Sequence, residues 1–389
     1  MENWVTFADV LATPIRNGLT KPKAIRGKGV KMIAMGEIFA KARIADIEMD
    51  RVPVTEKELA NCGIEAGDLL FARQSLVLEG AGKCSIVAEV TEPTVFESHL
   101  IRVRVDKDKA DPYFVFYYFN SLHGRENIKT IVEQVAAAGI RGSDLIKLSV
   151  PCPDIGEQRS IARILRSIDE KIENNEKIND NLQQQAMALY ASMFLDNPAL
   201  ETTAGTLKDI AEITMGQSPS GSSYNEDGNG EVFYQGRAEF GYRFPTRRLF
   251  TTEPKRMAEA GDVLLSVRAP VGDLNVAYER CCIGRGLGAI HGRNGYQSFV
   301  LYTMFALRPQ LDVYNGEGTV FGSINRNALN DMPIDIPSED AIAAFEAVVR
   351  PMDDMIRTNY EENCRLQELS DTLLPRLMSG EVDVSDINI

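Results

Sequence analysis

The chain has 389 residues, 44% hydrophobic and 25% charged, and 42 Lys and Arg against 56 Asp and Glu give a formal net charge of −14. That length exceeds what one hydrophobic core supports, so at least two folded units are expected, and the composition excludes a disordered or fibrous chain. The longest strongly apolar run, Tyr113 to Phe119, is far short of the roughly 20 residues of a bilayer-crossing helix, and Met1-Glu2-Asn3-Trp4 lacks the features of a secretory leader, which points to the cytoplasm.

In chain order, Leu69 to Ala72, Ser85 to Val90 and Leu100 to Val105 read as short strands, followed by a helix at the aromatic run Phe114-Val115-Phe116-Tyr117. From Glu157 to Met193, apolar residues recur at alternating steps of four and three: Ile161, Leu165, Ile168, Ile172, then Asn175, Asn179, Leu182, Ala186, Leu189 and Met193. This is a heptad seam on a long helix. The stretch Gln217 to Gly230 reads as a long loop, Val263 to Val267 and Asn275 to Tyr278 as strands, and a second helix follows the aromatic run Phe299-Val300-Leu301-Tyr302.

The second half repeats the first. Phe7-Ala8-Asp9-Val10 matches Leu207-Lys208-Asp209-Ile210, Gly67-Asp68-Leu69-Leu70 matches Gly261-Asp262-Val263-Leu264, and Ile140 to Leu145 matches Ile324 to Leu329. Shifting the seam by 184 residues gives Phe345, Val349, Met352, Ile356, Asn359, Asn363, Leu366, Ser370, Leu373 and Leu377, with the two asparagines kept. A buried polar residue at a seam fixes register, so the two helices are expected to pack on each other, and the pseudo-two-fold repeat makes them antiparallel. Pro351 and Pro375 predict that the second helix is straight mainly between Met352 and Leu373. The fold class is therefore α+β: two mixed α/β domains alternating with two long helices paired as an antiparallel coiled coil. The expected boundaries are 1–153, 154–197, 198–337, 338–380 and a tail at 381–389.

Catalytic signatures are absent from the sequence. Gly80-Ala81-Gly82-Lys83-Cys84 lacks the first glycine and the hydroxyl residue of a phosphate-binding loop, and Gly284-Arg285-Gly286-Leu287-Gly288 lacks the context of a dinucleotide site. Six cysteines without a CxxC pair and three scattered histidines support neither structural zinc nor nucleophilic catalysis. No Asn-Pro-Pro-aromatic motif of an amino-methyltransferase occurs, so the chain is not expected to methylate a base. Eight of the excess negative charges lie in residues 338–389, which leaves basic stretches at Arg16 to Lys31 and Arg237 to Arg256.

The motifs together resemble a known family across nearly the whole chain. They are Leu207-Lys208-Asp209-Ile210-Ala211, Gly216-Gln217-Ser218-Pro219, Gly261 to Gly272, Glu157-Gln158-Arg159-Ser160-Ile161-Ala162 with Asp169-Glu170-Lys171-Ile172, and Leu373 to Gly380. In these the chain resembles the DNA specificity subunit of type I restriction-modification systems. The resemblance implies a non-catalytic subunit with two target-recognition domains, each reading half of a bipartite, asymmetric target on double-stranded DNA. It implies two methyltransferase subunits held by this chain, restriction subunits joined through them, and no cofactor bound here, S-adenosylmethionine being expected on the methyltransferase partners. The helix pair then acts as a ruler for the gap between half-sites.

These roles assign candidate DNA contacts. Arg suits guanine, Gln and Asn suit adenine, and Lys, Ser and Tyr suit phosphate. Lys21, Lys23, Arg26, Lys28 and Lys31 are expected to position phosphates in the first domain. In the second, Gln217, Ser218, Tyr234, Gln235, Arg237, Arg243 and Arg247 interleave amide, aromatic and guanidinium groups. Arg73 and Arg268 follow the two glycine-aspartate strands with one residue of slippage and are candidates for DNA contact from a rigid element. Exposed helix residues Arg159, Arg163, Lys171, Arg357 and Arg365 are candidates for partner binding. A coiled-coil adaptor that never touches DNA is the main rival reading, and a nuclease carrying its own metal site is the second.

Overall fold

A computed structural model describes residues 3–134, 138–316, 322–382 and 384. They form two compact units, one of residues 1–174 with 362–389 and one of residues 175–361. Most of the expected tail at 381–389 lies outside the described residues; of the rest, Val384 is buried with Leu377 and Met378 in the first unit's core.

In the first unit, strand Leu69–Ala72 pairs on one side with Leu100–Val103 and on the other with Cys84–Val87, inside a five-stranded sheet. All four of its residues are buried. Turn chemistry explains why the chain enters this strand where it does. Gly67 adopts φ +97°, which a side chain resists, and the Asp68 carboxylate accepts from the Glu65 amide at 2.8 Å. The Arg104 guanidinium then pairs with the buried Asp68 at 2.7 Å. A three-stranded sheet of Val30–Ile33, Arg51–Val52 and Thr94–Phe96 encloses a second, smaller core in this unit.

The second unit repeats the device. Gly261 has φ +92°, Asp262 accepts from the Glu259 amide at 2.8 Å, and His291 takes the place of Arg104 at 2.6 Å from Asp262. Strand Val263–Ser266 pairs with Leu287–Gly292 and Leu274–Val276 in a four-stranded sheet. The two registers match residue for residue: Leu70 opposes Arg102 as Leu264 opposes Ala289, and Ala72 opposes Leu100 as Ser266 opposes Leu287. Each unit also carries its aromatic helix, Pro112–Asn120 and Gln297–Ala306, the first started by Asp111 accepting from the Tyr113 and Phe114 amides. The stretch 217–230 is not a bare loop. It contains a turn at Gly221–Ser223 and strand Tyr224–Asn225, fastened by the Ser223 hydroxyl at 2.7 Å from Thr251.

Two long helices run through both units: a central helix, Ile155–Tyr190, followed by a π-helical turn at Ala191–Leu195, and a distal helix, Glu339–Ser379. The distal helix continues through Pro351 and Pro375. Both prolines are exposed, as are Ala347 and Asp371 one turn earlier, whose carbonyls lose their helical partners, so each break lies on the solvent side of the helix while Phe345 and Val349 stay packed. Ile161, Leu165, Ile168, Asn175, Asn179 and Ala186 are buried on the central helix and Ile356 and Asn359 on the distal one; Ile172, Leu182, Leu189, Met352, Asn363, Leu366 and Leu373 are half-buried.

Contacts within each unit tie the helices together. In the second unit Asn359 Nδ2 donates to Asn179 Oδ1 at 2.8 Å, and Tyr190 meets Phe345 with ring centroids 5.6 Å apart, so the two segments run antiparallel there. In the first, Lys171 pairs with Glu362 at 2.9 Å and Asn363 donates to the Ile172 carbonyl at 3.5 Å.

Candidate nucleic-acid interface

The expected basic positions of the first unit divide into two kinds. Lys21 pairs with Glu58 at 2.8 Å, Arg26 with Asp50 at 2.8 Å, and Lys31 with both Asp46 and Glu92. Their charge is largely used in holding the small sheet together. The Lys31 ammonium, hydrogen-bonded to Asp46, keeps that carboxyl below the usual carboxylate range, and Lys21 does the same to Glu58. Lys23 and Lys28 are exposed, and no ion pair holds either among the described residues.

In the second unit the structure corrects two expectations. Tyr234 is buried with its hydroxyl donating to the Pro245 carbonyl at 3.4 Å, so it offers no surface to DNA. Arg243 is 5% exposed and paired with Asp353 on the distal helix, with its Nη1 donating to Gln183 at 3.1 Å. It anchors the domain to the helices. Arg237 and Arg247 are exposed but paired with Asp273 and Glu279, and Arg247 also lies 5.7 Å from the Tyr278 ring centre.

The Arg243 anchor has a counterpart that sequence reasoning missed. Tyr302 donates to Asp353 at 3.0 Å, and at the equivalent place in the first unit Tyr117 donates to Asp169 at 2.6 Å. Arg43, 7% exposed in its side chain, completes that cluster at 3.7 Å from Asp169 and 3.3 Å from Glu173. Burial pushes the Tyr117 and Tyr302 hydroxyls up and raises the Asp169 carboxyl as well. Asp169 belongs to the quoted Asp169-Glu170-Lys171-Ile172 motif, which was visible; its partner 126 residues earlier was not.

Gln217, Ser218, Gln235 and Arg268 come together at one edge of the second unit. There a groove of about 690 Å³ is lined by Arg268, Arg285 and Arg326 with Ser323, Asn325, Gly216 and Gly322 among others. Among the described residues, none makes an ion pair with these three exposed arginines, and no carboxylate lines the groove. The Arg285 amide donates to Ser218 Oγ at 3.2 Å and Gly286 donates to the Gln235 carbonyl at 3.1 Å. A Cβ on Gly216 would lie 2.1 Å from the Gly284 carbonyl oxygen and one on Gly284 2.8 Å from Gln235 Cα. The glycine-rich run thus serves close approach of three backbone segments that carry Arg285 to the groove. Arg285 and Arg326 were not among the expected contacts; a lone Arg inside a glycine run and another opening a five-residue helix carry no local signal.

Arg73 does not occupy the position of Arg268. The Ile140 amide donates to the Arg73 carbonyl as Ile324 donates to Val267, while Gln74 opposes Gly139 as Arg268 opposes Ser323. The slippage resolves in favour of Gln74, and Arg73 is half-buried where the second unit has the buried Val267. On the long helices, Arg159 donates to the Lys107 carbonyl at 3.3 Å, Lys171 and Arg357 pair with Glu362 and Glu361, and Arg163 and Arg365 are exposed.

Residues 2–184 match the protein family described as the type I restriction modification DNA specificity domain. The match covers 183 of the 389 residues, the first recognition unit and most of the central helix. Beyond the matched segment, a Methanocaldococcus jannaschii chain bearing the name of the type I restriction enzyme MjaX specificity subunit is 29% identical over 98% of this chain and 94% of its own length. The type I restriction enzyme HindI specificity subunit of Haemophilus influenzae is 22% identical over 83% of this chain and 88% of that relative. A crystal structure of the type I restriction-modification system S subunit from M. genitalium covers 96% of both chains at a TM-score of 0.61 and 16% identity, a likeness of fold. Among the described residues, no helix is long and apolar enough to cross a membrane, and no cluster of His, Cys, Asp and Glu is suited to a metal ion.

Proposed function

We propose that the chain is the sequence-specific DNA-binding specificity subunit of a type I restriction-modification complex, reading a bipartite, asymmetric target. Residues 1–153 and 198–337 serve as its recognition domains. The central helix 154–197 and distal helix 338–380 pair as an antiparallel coiled coil that sets the gap between half-sites, and 381–389 is a tail. The helix faces hold two methyltransferase subunits and, through them, restriction subunits. Chemistry and S-adenosylmethionine belong to those partners, in the cytoplasm.

The observation that carries the reading is the groove with Arg268, Arg285 and Arg326. In a chain of net charge −14, a concave surface holding three arginines and, among the described residues, no carboxylate suits a polyanion, and an adaptor that joins only proteins has no use for it. Gln217, Gln235, Lys23 and Lys28 are positioned for further DNA contacts by their exposure, and the half-buried Ser218 by its place beside Arg285. Replacing both Arg285 and Arg326 by Ala is expected to weaken binding of duplex DNA across sequences and to lower the salt slope of log K by about two, since each phosphate contact contributes about 0.9. Titration of the assembled complex against salt reads the slope directly. An unchanged slope contradicts the assignment of the groove.

A further inference from the structure

Matching the two recognition units by strand register turns one comparison into a statement about bases. Gln74 and Arg268 each stand one residue beyond the carbonyl that accepts from Ile140 or Ile324, opposite Gly139 and Ser323 respectively. Both side chains are exposed at the same rigid strand end. The register extends to the other arginines of the groove. The Arg73 amide donates to the His99 carbonyl as the Val267 amide donates to that of Gly286, which sets Ser98 where the second unit has Arg285, and Gly142 corresponds to Arg326. The place that holds Arg268, Arg285 and Arg326 in the second unit therefore has Gln74, Ser98 and Gly142 in the first, while Arg73 and Arg141 stand there where the second unit has Val267 and Asn325.

We propose that Gln74 and Arg268 are equivalent specificity-determining positions, with Arg268 reading a guanine in one half-site and Gln74 an adenine in the other. This rests on the DNA-reading function proposed above. A guanidinium presents two parallel donors that fit O6 and N7 of guanine in the major groove; a carboxamide presents one donor and one acceptor that fit N7 and the N6 amino group of adenine. No ion pair to a described residue ties up Arg268, so its fork is available to a base. Gln74 is oriented from within its own unit: His99 Nδ1 lies 3.2 Å from Gln74 Oε1. In the tautomer protonated at Nδ1, His99 donates to that oxygen, fixing which end of the amide is the acceptor. The second lone pair of Oε1 and the Nε2 hydrogens remain for the base. Arg285 and Arg326 flank Arg268 alone and serve backbone phosphate.

The test is selection from a randomised duplex library by the full chain assembled with its methyltransferase subunit, using the native chain and the Gln74→Arg and Arg268→Gln variants. Gln74→Arg is expected to convert one adenine to guanine in one half-site, and Arg268→Gln one guanine to adenine in the other, every other position being kept. Gln74→Ala and Arg268→Ala guard against an exchange that fails to dock: each is expected to relax a single position, with discrimination there falling about five- to a hundredfold. Motifs identical to the native one in all four variants, or changes spread over both halves by one substitution, overturn the proposal. If the native complex selects no motif at all, the DNA-reading function itself has failed, a result distinguishable from either of these.

Discussion

Lengthening both long helices by one heptad at matched points, between Asn174 and Asn175 and between Glu361 and Glu362, is expected to widen the gap between the half-sites by about three base pairs, because seven residues add about 10 Å of helix. Those points are the boundaries of the two compact units. The insertions therefore leave the Lys171 to Glu362 pair inside one unit and the Asn179 to Asn359 pair inside the other. Whole heptads keep the seam on one face of each helix. Half-site sequences are expected to stay as they were, since neither recognition domain is touched. An insertion in one helix alone puts the two seams out of step and is expected to abolish recognition of the split target. Methylation mapping reads both outcomes, and a gap that does not change in the double insertion contradicts the ruler.

Replacing Arg243 by Ala is expected to destabilise the second unit by about 3–5 kcal/mol, the usual result of removing one member of a buried ion pair. Among the described residues, the substitution leaves Asp353 with its bond from Tyr302 alone and releases Gln183. It also removes the cation 5.9 Å from the Tyr302 ring centre. Arg237→Ala, which breaks an exposed pair with Asp273, is expected to cost about 0–1 kcal/mol. Because a chain of two units need not unfold in one step, amide hydrogen exchange in the helix Gln297–Ala306 is the suitable readout. Protection there is expected to fall in Arg243→Ala while the helix Pro112–Asn120 of the first unit is unaffected. Equal effects of the two substitutions contradict the anchoring role. Arg43→Ala is expected to mirror the result in the first unit, where Asp169 already lies in a site that raises its carboxyl.

Much of the architecture was legible because it is written in local chemistry. The seam from Ile161 to Leu189 follows from a period, and the turn before Leu69 follows from a glycine and an aspartate that act on their own backbone neighbours. The prolines of the distal helix carry an intrinsic cost, but packing of Phe345 and Val349 carries the helix past Pro351. The candidate interface was the least legible part. Arg237 and Arg243 look alike in sequence, and only the path of the chain brings the second against Asp353, 110 residues away. Arg285 and Arg326 reach one groove from distant segments. Arg73 looked like the partner of Arg268 because both are arginines near the end of the strand; the hydrogen-bond register assigns that place to Gln74.

The most direct test of the central claim is to co-express the chain with the methyltransferase subunit of its own system and map modified adenines across the host DNA, with and without exchange of residues 198–337 for those of a relative. The expected result is a bipartite motif that requires this chain, with one half altered and the other retained on exchange. A stable, active complex whose methylation pattern does not depend on this chain contradicts the account.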